Sequence, residues 1–331
     1  MALKSVQKNL LRLLADGQFH SGRELSDQLG LSRTAIWNHS KELKKLGLEL
    51  HAVTGKGYRL HQPLELLDAD LIRSNLNRVA VNHLSRLDIH DVTDSTSGQL
   101  SSASHLGAGS GTVCLAESQT GGRGRLGRKW VSPFGRNIYL SLLWHYEVGP
   151  AELSGLSLAV GVAVMRALGK EGAVEIGLKW PNDIFWKKKK LGGVLIELMG
   201  DALGPCTVIV GIGLNVDLSE SSAEEIDQPW TDLGKLMGGS PVSRNRVTAQ
   251  LLNELLPILE NFDQVGLAHY HDEWSKWDCL AEEKAILRLG KKTISGTARG
   301  IDQSGLLIFE EESGERKAYA SGEVSLRTAP E

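Results

Sequence analysis

Between Gly121 and Trp130 the chain reads Gly-Gly-Arg-Gly-Arg-Leu-Gly-Arg-Lys-Trp. Glycines let the backbone approach a ligand closely, and Arg123, Arg125, Arg128 and Lys129 crowd positive charge onto the same few residues, a combination suited to phosphate. A merely solvated basic loop would have the same composition, so the reading depends on the motifs around it. Gly122, Gly124 and Gly127 spell G-x-G-x-x-G, but a dinucleotide site needs a helix to open there. Pro133 and Gly135 work against one, so the dinucleotide fold is excluded.

Further along, Asp91-Val-Thr-Asp-Ser-Thr-Ser97 is a strand end running into a hydroxyl-rich turn able to cap a helix. Lys179-Trp-Pro-Asn-Asp183 is a rigid turn, and its Asp183 could hold a metal or orient a basic loop beside phosphates. Residues 187–190 are four lysines followed by Leu191-Gly-Gly193. Three of them suit a hairpin tip, whereas Lys190 adjoins a strand and a glycine pair where a ligand can come close. Residues 208–215 form a glycine-punctuated strand ending at Asn215.

The elements that must position these groups are apolar strands at 111–117, 137–144 and 194–198. A helix carrying Leu153, Leu156, Val160, Val164 and Leu168 has small residues that let it press onto a sheet. Residues 64–87 read as a short helical connection. An amphipathic helix over 243–265 repeats Val247, Leu251, Leu255 and Leu259, and Trp274 and Trp277 follow on a shorter helix as core residues. From 285 the pattern turns to short strands at 285–289, 293–301, 306–310, 316–320 and 323–326, a small β barrel.

The first sixty residues form a separate system. Val6, Leu10, Leu13 and Leu14 share a helical face; Ser21 and Glu24 make a capping box for a second helix ended by Gly30; Ser32 caps a third, with Ala35, Ile36, Leu43 and Leu46 inward. The other face of the third helix shows Arg33, Thr34, Trp37, Asn38, Ser40, Lys41, Lys44 and Lys45, residue types that reach base edges and phosphates from a major groove. A hairpin follows through Leu48, Leu50 and Ala52, turns at Gly55-Lys56-Gly57, and returns through Tyr58 and Leu60. Helix-turn-helix plus hairpin is a winged helix, for which protein binding is the alternative to DNA. The DNA contacts expected are Ser21, Ser32, Arg33, Thr34, Trp37, Asn38, Lys41 and Lys56.

Composition agrees. The chain of 331 residues is 41% hydrophobic and 23% charged, with a net charge of −3. Residues 1–61 hold ten Lys and Arg against five Asp and Glu, so the basic surplus is confined to the N-terminus. Cys114, Cys206 and Cys279 lack metal-ligand spacing and read as buried thiols. No secretory h-region or bilayer-length apolar run is present, so a cytoplasmic location and no membrane partner are expected.

Taken in order, Ser95-Thr96, Gln119 with Gly122-Arg-Gly-Arg125, Lys179-Trp-Pro-Asn-Asp183, Lys190-Leu-Gly-Gly193 and Gly211-Ile-Gly-Leu-Asn215 resemble the biotin protein ligases almost end to end. With a winged helix in front, the chain is similar to the bifunctional bacterial form, a ligase that is also the biotin operon repressor. The resemblance implies an α+β protein: a winged-helix DNA-binding domain at 1–62, a mixed-sheet, class II synthetase-like ligase domain at 63–278, and an SH3-like β barrel at 279–331. It implies biotin and adenylate contacts from Ser95, Thr96, Ser97, Gln119, Arg123, Gly124, Arg125, Lys190, Gly193, Gly211, Asn215 and Arg327. Lys190, Arg123, Arg125 and Asp183 would serve catalysis, Asp183 through Mg²⁺ or adenylate binding. The family commonly has Asn where this chain has Ser97, and a hydroxyl offers fewer donors than an amide.

By the same resemblance, biotin and ATP give biotinyl-5′-adenylate, which is passed to a lysine of the biotin carboxyl carrier protein of acetyl-CoA carboxylase. The adenylate-bound homodimer would sit on the operator of the biotin operon. A lipoate ligase and a ligand-sensing regulator without catalysis are the alternatives.

Overall fold

A computed structural model describes residues 3–201, 203–290, 292–321 and 324–328, the last stretch with the side chain of Leu326 alone. Its first elements are α1 (Ser5–Leu14), α2 (Gly22–Leu29), α3 (Arg33–Lys44), β1 (Leu50–Val53) and β2 (Gly57–Leu60). Ser21 Oγ accepts the Glu24 N–H, Ser32 Oγ accepts the Ala35 N–H, and Gly30 closes α2 at φ 65°. Leu10, Leu11, Leu14, Leu25, Ile36, Leu43, Leu48, Leu50 and Leu60 make one core. The hairpin folds back so closely that a Cβ on Gly57 would lie 2.0 Å from the His20 carbonyl oxygen, and His20 and Tyr58 exchange N–H···O bonds of 2.9 Å. This is the expected winged helix with two corrections. Ser40 is buried and bonds the Trp37 carbonyl, so it leaves the DNA face. Ala52 is exposed because β1 quits the core after Leu50.

Next come α4 (Ala69–Ser74), α5 (Arg78–His83), β3 (Arg86–Thr93), α6 (Thr96–His105), β4 (Thr112–Gln119), β5 (Ile138–Tyr146), α7 (Leu156–Lys170), β6 (Ile176–Lys179), β7 (Asp183–Trp186), β8 (Lys189–Gly200), β9 (Cys206–Leu214), α8 (Leu233–Leu236), α9 (Arg244–Val265) and α10 (His271–Trp277). The strands form one seven-stranded sheet in the order β3-β4-β5-β9-β8-β7-β6, with β3 and β4 parallel and the other pairs antiparallel. Alternation along the strands splits the sheet's two faces. Val113, Leu115, Leu142 and Val210 join the large core with α7 and α9, while Cys114, Leu143 and Ile209 pack with Leu100 of α6. The helical connection expected over 64–87 is therefore shorter: Leu87 is already inside β3, whose partner β4 lies well beyond it in sequence.

β10 (Lys284–Leu289), β11 (Lys292–Ile301), β12 (Leu307–Glu311), β13 (Arg316–Tyr319) and β14 (Val324–Thr328) make a five-stranded antiparallel sheet, ordered β13-β12-β11-β10-β14, from the strands expected of the barrel. Leu287, Leu307, Phe309 and Leu326 belong to the same buried cluster as α7 and α9. Trp180 Nε1 donates to the Gly305 carbonyl at 3.0 Å, tying this sheet to the Lys179-Trp-Pro-Asn-Asp183 turn.

The segment that leaves the winged helix is clamped at both ends. Leu64 enters the winged-helix core together with Phe134, which arrives from the far side of the arginine loop. Glu65 accepts from Ser243 Oγ at 2.7 Å and from the Arg244 N–H, capping α9. Glu117 accepts the Leu67 N–H at 2.6 Å and pairs with Arg244, both side chains nearly fully buried. Burial pushes the Glu117 carboxyl up, while Arg244 pulls it down.

Candidate active site

A cavity of about 400 Å³ opens over β8 and β9, walled by the start of α6, the arginine loop and the 179–183 turn. Its floor is a set of connected hydroxyls. Ser95 caps α6, which buries Thr96 and Ser97 at the helix start. Gln119, at the end of β4, accepts through Oε1 from the Thr96 N–H (2.8 Å) and hydroxyl (3.1 Å). Thr96 Oγ1 and Ser97 Oγ both meet Ser141 Oγ, at 2.8 and 3.1 Å. These bonds orient the Gln119 amide and leave a floor of paired donors and acceptors, chemistry fit for a small neutral polar head group. Gly211 lies close beneath the floor, since a Cβ there would stand 3.2 Å from Ser97 Oγ and press on that hydroxyl.

The other end of the cavity is cationic. Lys190 Nζ lies 2.6 Å from Asp183 Oδ1, with each side chain less than a fifth exposed, and 5.5 Å from the centre of the Trp130 ring. Its backbone is fixed by the 229–231 segment: its N–H donates to the Pro229 carbonyl and its carbonyl accepts the Thr231 N–H, both at 2.9 Å. Trp130 rests on Gly213, where a Cβ would come within 2.4 Å of the indole, and Trp130 Nε1 is buried with no partner among the described residues.

The arginine loop doubles back on itself. Gly124 N–H donates to the Arg128 carbonyl at 2.7 Å and Trp130 N–H to the Gly122 carbonyl at 2.9 Å, around a short 3-10 turn at Arg125–Gly127. No α-helix opens there, in keeping with the excluded dinucleotide site. Arg125 reaches the Ser321 carbonyl and, at 3.4 Å, Asn182 Oδ1. Desolvation lowers its pKa while Asp183 opposes the shift, so a guanidinium is held partly out of water where an anion would restore what it lacks.

Of the expected ligand contacts, Ser95, Thr96, Ser97, Gln119, Arg123, Gly124, Arg125, Asp183, Lys190, Gly193, Gly211 and Asn215 all line this one cavity. Asn215 does so with its amide already engaged: Nδ2 donates to the Thr231 carbonyl at 3.0 Å, which ties the 229–231 segment to β9. Arg327 sits in β14 opposite Ile286, its side chain outside the described residues, although neighbouring Leu326 lines the cavity. Sequence reading assigned no role to Trp130, Ser141, Lys179, Asn182 or Trp230, which line it too. Trp130 ends the arginine stretch and Lys179 opens its turn, so adjacency could have flagged both. Trp230 and Ser141 had no local signal. A Mg²⁺ ion brought by a nucleotide fits a site with one carboxylate and substrate phosphates; Asp183 offers that carboxylate, its Oδ1 shared with Lys190.

Residues 89–215 match the Biotin/lipoate A/B protein ligase family, 6–59 an HTH domain and 285–327 the Biotin protein ligase C terminal domain. The chain is 41% identical to the Bifunctional ligase/repressor BirA of Salmonella typhimurium over 98% of each chain, and 31% identical to the protein of that name from Bacillus subtilis over 96% and 98%. The chain belongs to the bifunctional biotin ligase/repressor family. Among solved structures, the biotin protein ligase from Aquifex aeolicus in complex with biotin and ATP is 33% identical, with a TM-score of 0.64 over 74% of this chain and all of that one. The Aquifex aeolicus protein is named for biotin, and the lipoate alternative is not favoured.

The family's second activity points to the winged helix. Arg33, Thr34, Trp37, Asn38 and Lys41 are exposed along α3, with Lys41 Nζ 3.5 Å over the Trp37 ring. Lys56 is exposed in the hairpin turn. Ser21 and Ser32 mark the starts of α2 and α3, their hydroxyls used as caps. None of the helices among the described residues is long and apolar enough to cross a membrane.

Proposed function

We propose that this cavity joins biotin to ATP and then serves biotin transfer to a protein lysine. The observation that carries the reading is the juxtaposition of two chemistries: a neutral hydroxyl floor at Ser97, Gln119 and Ser141, and the Asp183-held Lys190 beneath the arginine loop. The floor takes the ureido head of biotin. Lys190 then meets the biotin carboxylate and the α-phosphate together. A carboxylate oxygen attacks the α-phosphorus, the bond to the bridging oxygen breaks, and pyrophosphate leaves. Asp183 would hold Mg²⁺ together with the phosphates, and the ion would supply charge neutralisation there. Lys190, Arg123 and Arg125 offset the charge that builds on the phosphoryl oxygens, and alignment of the two substrates supplies much of the rate. The acceptor lysine next attacks the acyl carbonyl, forming an amide and releasing AMP. The arginine loop, closed over the adenylate, keeps water from taking that place. Ser95, Thr96, Gly124, Gly193, Gly211, Asn215 and Arg327 complete the site.

The acceptor is the biotin carboxyl carrier protein of acetyl-CoA carboxylase. The divisions near residues 62 and 278 separate DNA binding, ligation and the C-terminal sheet. Adenylate ordering of the arginine loop favours a homodimer in the cytoplasm, setting two winged helices on the biotin operator through Arg33, Thr34, Trp37, Asn38, Lys41, Lys56 and the ends marked by Ser21 and Ser32. The test supplies the full chain with biotin, Mg-ATP and an isolated biotin carboxyl carrier domain and reads the acceptor mass. A gain equal to one biotin in amide linkage supports the reading. A chain that retains adenylate yet never labels the acceptor would make it a sensor without transfer.

A further inference from the structure

At the base of the wing, away from the cavity, Glu49, His51 and His61 bring one ligand atom each within 4.8 Å of one another. The hairpin register explains the grouping. Leu50 pairs with Leu60 and both point into the core, so Glu49, His51 and His61 fall on the outer face, and the His61 N–H bonds the Glu49 carbonyl at 2.8 Å. His51 Nε2 and His61 Nδ1 stand 3.3 Å apart, whereas the 3.7 Å contact of Glu49 Oε2 is to the other ring nitrogen of His61, Nε2, so an ion shared by the two imidazoles takes Glu49 by rotation of its exposed side chain. Metal–nitrogen bonds of about 2.0–2.1 Å in a tetrahedron place neighbouring ligand atoms about 3.3–3.4 Å apart, so the two imidazoles already have the spacing of a shared ion. Arg59, opposite His51, has its guanidinium over the Phe19 ring at 4.8 Å, a cation–π contact on another group.

We propose that Glu49, His51 and His61 form a site for a transition-metal ion of the Zn²⁺ class, with water from the exposed side completing four-coordination. Two imidazoles and one carboxylate select Zn²⁺ and its neighbours Co²⁺ and Ni²⁺ over Mg²⁺ or Ca²⁺, which require oxygen ligands. The ion would clasp the strand that enters the wing to the strand that leaves it, and would add positive charge to the DNA-binding unit. This reading is independent of the ligase chemistry, because none of the three residues borders the cavity.

The test uses the full chain, stripped with a chelator and titrated with Zn²⁺ against a chromophoric competitor, beside His51→Ala, His61→Ala and the double variant. All three side chains are exposed, so the variants should melt with wild type in chelator, and adenylate formation reports an intact ligase core. The expected result is one more equivalent of Zn²⁺ in wild type than in the double variant, at least tenfold weaker binding in each single variant, and a melting temperature raised by Zn²⁺ in wild type alone. Co²⁺ should give a visible four-coordinate absorption that millimolar Mg²⁺ leaves unchanged. Equal Zn²⁺ uptake by wild type and the double variant would overturn the proposal and leave the histidines as a hydrogen-bonded pair.

Discussion

Lys190 and Asp183 form the pair on which the chemistry turns, and the geometry separates their contributions. Lys190→Ala removes the cation that sits 2.6 Å from Asp183, and the developing phosphoryl charge loses one of its proposed donors. Single-turnover adenylate formation should fall about 10²–10³-fold, with biotin affinity changing much less, because the hydroxyl floor is untouched. Gly213→Ala acts by sterics: a Cβ 2.4 Å from the Trp130 ring forces the indole off β9, and KM for ATP should rise about tenfold or more, checked by steady-state kinetics of pyrophosphate release. Ser97, set against an asparagine by the resemblance, has its hydroxyl buried and bonded to Ser141.

At the scale of elements, the joint between the DNA-binding unit and the catalytic sheet is made of Leu64, Phe134, Glu117 and Arg244. Phe134 is 3% exposed in the winged-helix core, and Gly135 N–H next to it donates to the Glu117 carbonyl at 2.9 Å. Phe134→Ala should cost about 3–5 kcal/mol within that core, read as an earlier unfolding step in denaturant. Arg244→Met strands the Glu117 carboxylate and should cost about 3–5 kcal/mol. Asp278, between α10 and the C-terminal sheet, has its carboxyl pushed by burial up to about 6, against backbone bonds from Leu280 and Ala281. A carboxyl whose folded pKa is raised stabilises fully below the unfolded value near 4, and that stability is lost as pH rises through about 6. Asp278→Asn, which keeps the acceptor, should therefore be more stable than wild type by about 1–3 kcal/mol at pH 7.5, with the gap closing toward pH 4 in denaturant titrations.

Local signals were readable in the sequence, and those that depend on distant pairing were not. Ser21, Ser32 and Gly30 announce the helix ends, and the glycines of 208–215 announce the strand under the cavity. β3 was missed at its start because its strand character comes from a parallel partner a helix away. Trp230 and Ser141 join the cavity only through pairings of Lys190 with 229–231 and of β5 with β9.

For the whole molecule, two activities share one chain and should separate by mutation. Lys41→Ala on α3 should weaken operator binding at every sequence and lower the slope of log affinity against log salt by about one, measured by fluorescence anisotropy, with acceptor labelling unchanged. Adenylate should convert monomer to dimer in sedimentation, and an unchanged monomer would remove the proposed link between ligand and DNA. Everything downstream depends on the adenylate. Native mass spectrometry of the full chain after a short incubation with Mg-ATP and either biotin or lipoate should show retained biotinyl-5′-adenylate in wild type, far less in Lys190→Ala at the same time point, and no lipoyl product. Lipoyl-adenylate, or biotin bound with no adenylate formed, would contradict the account.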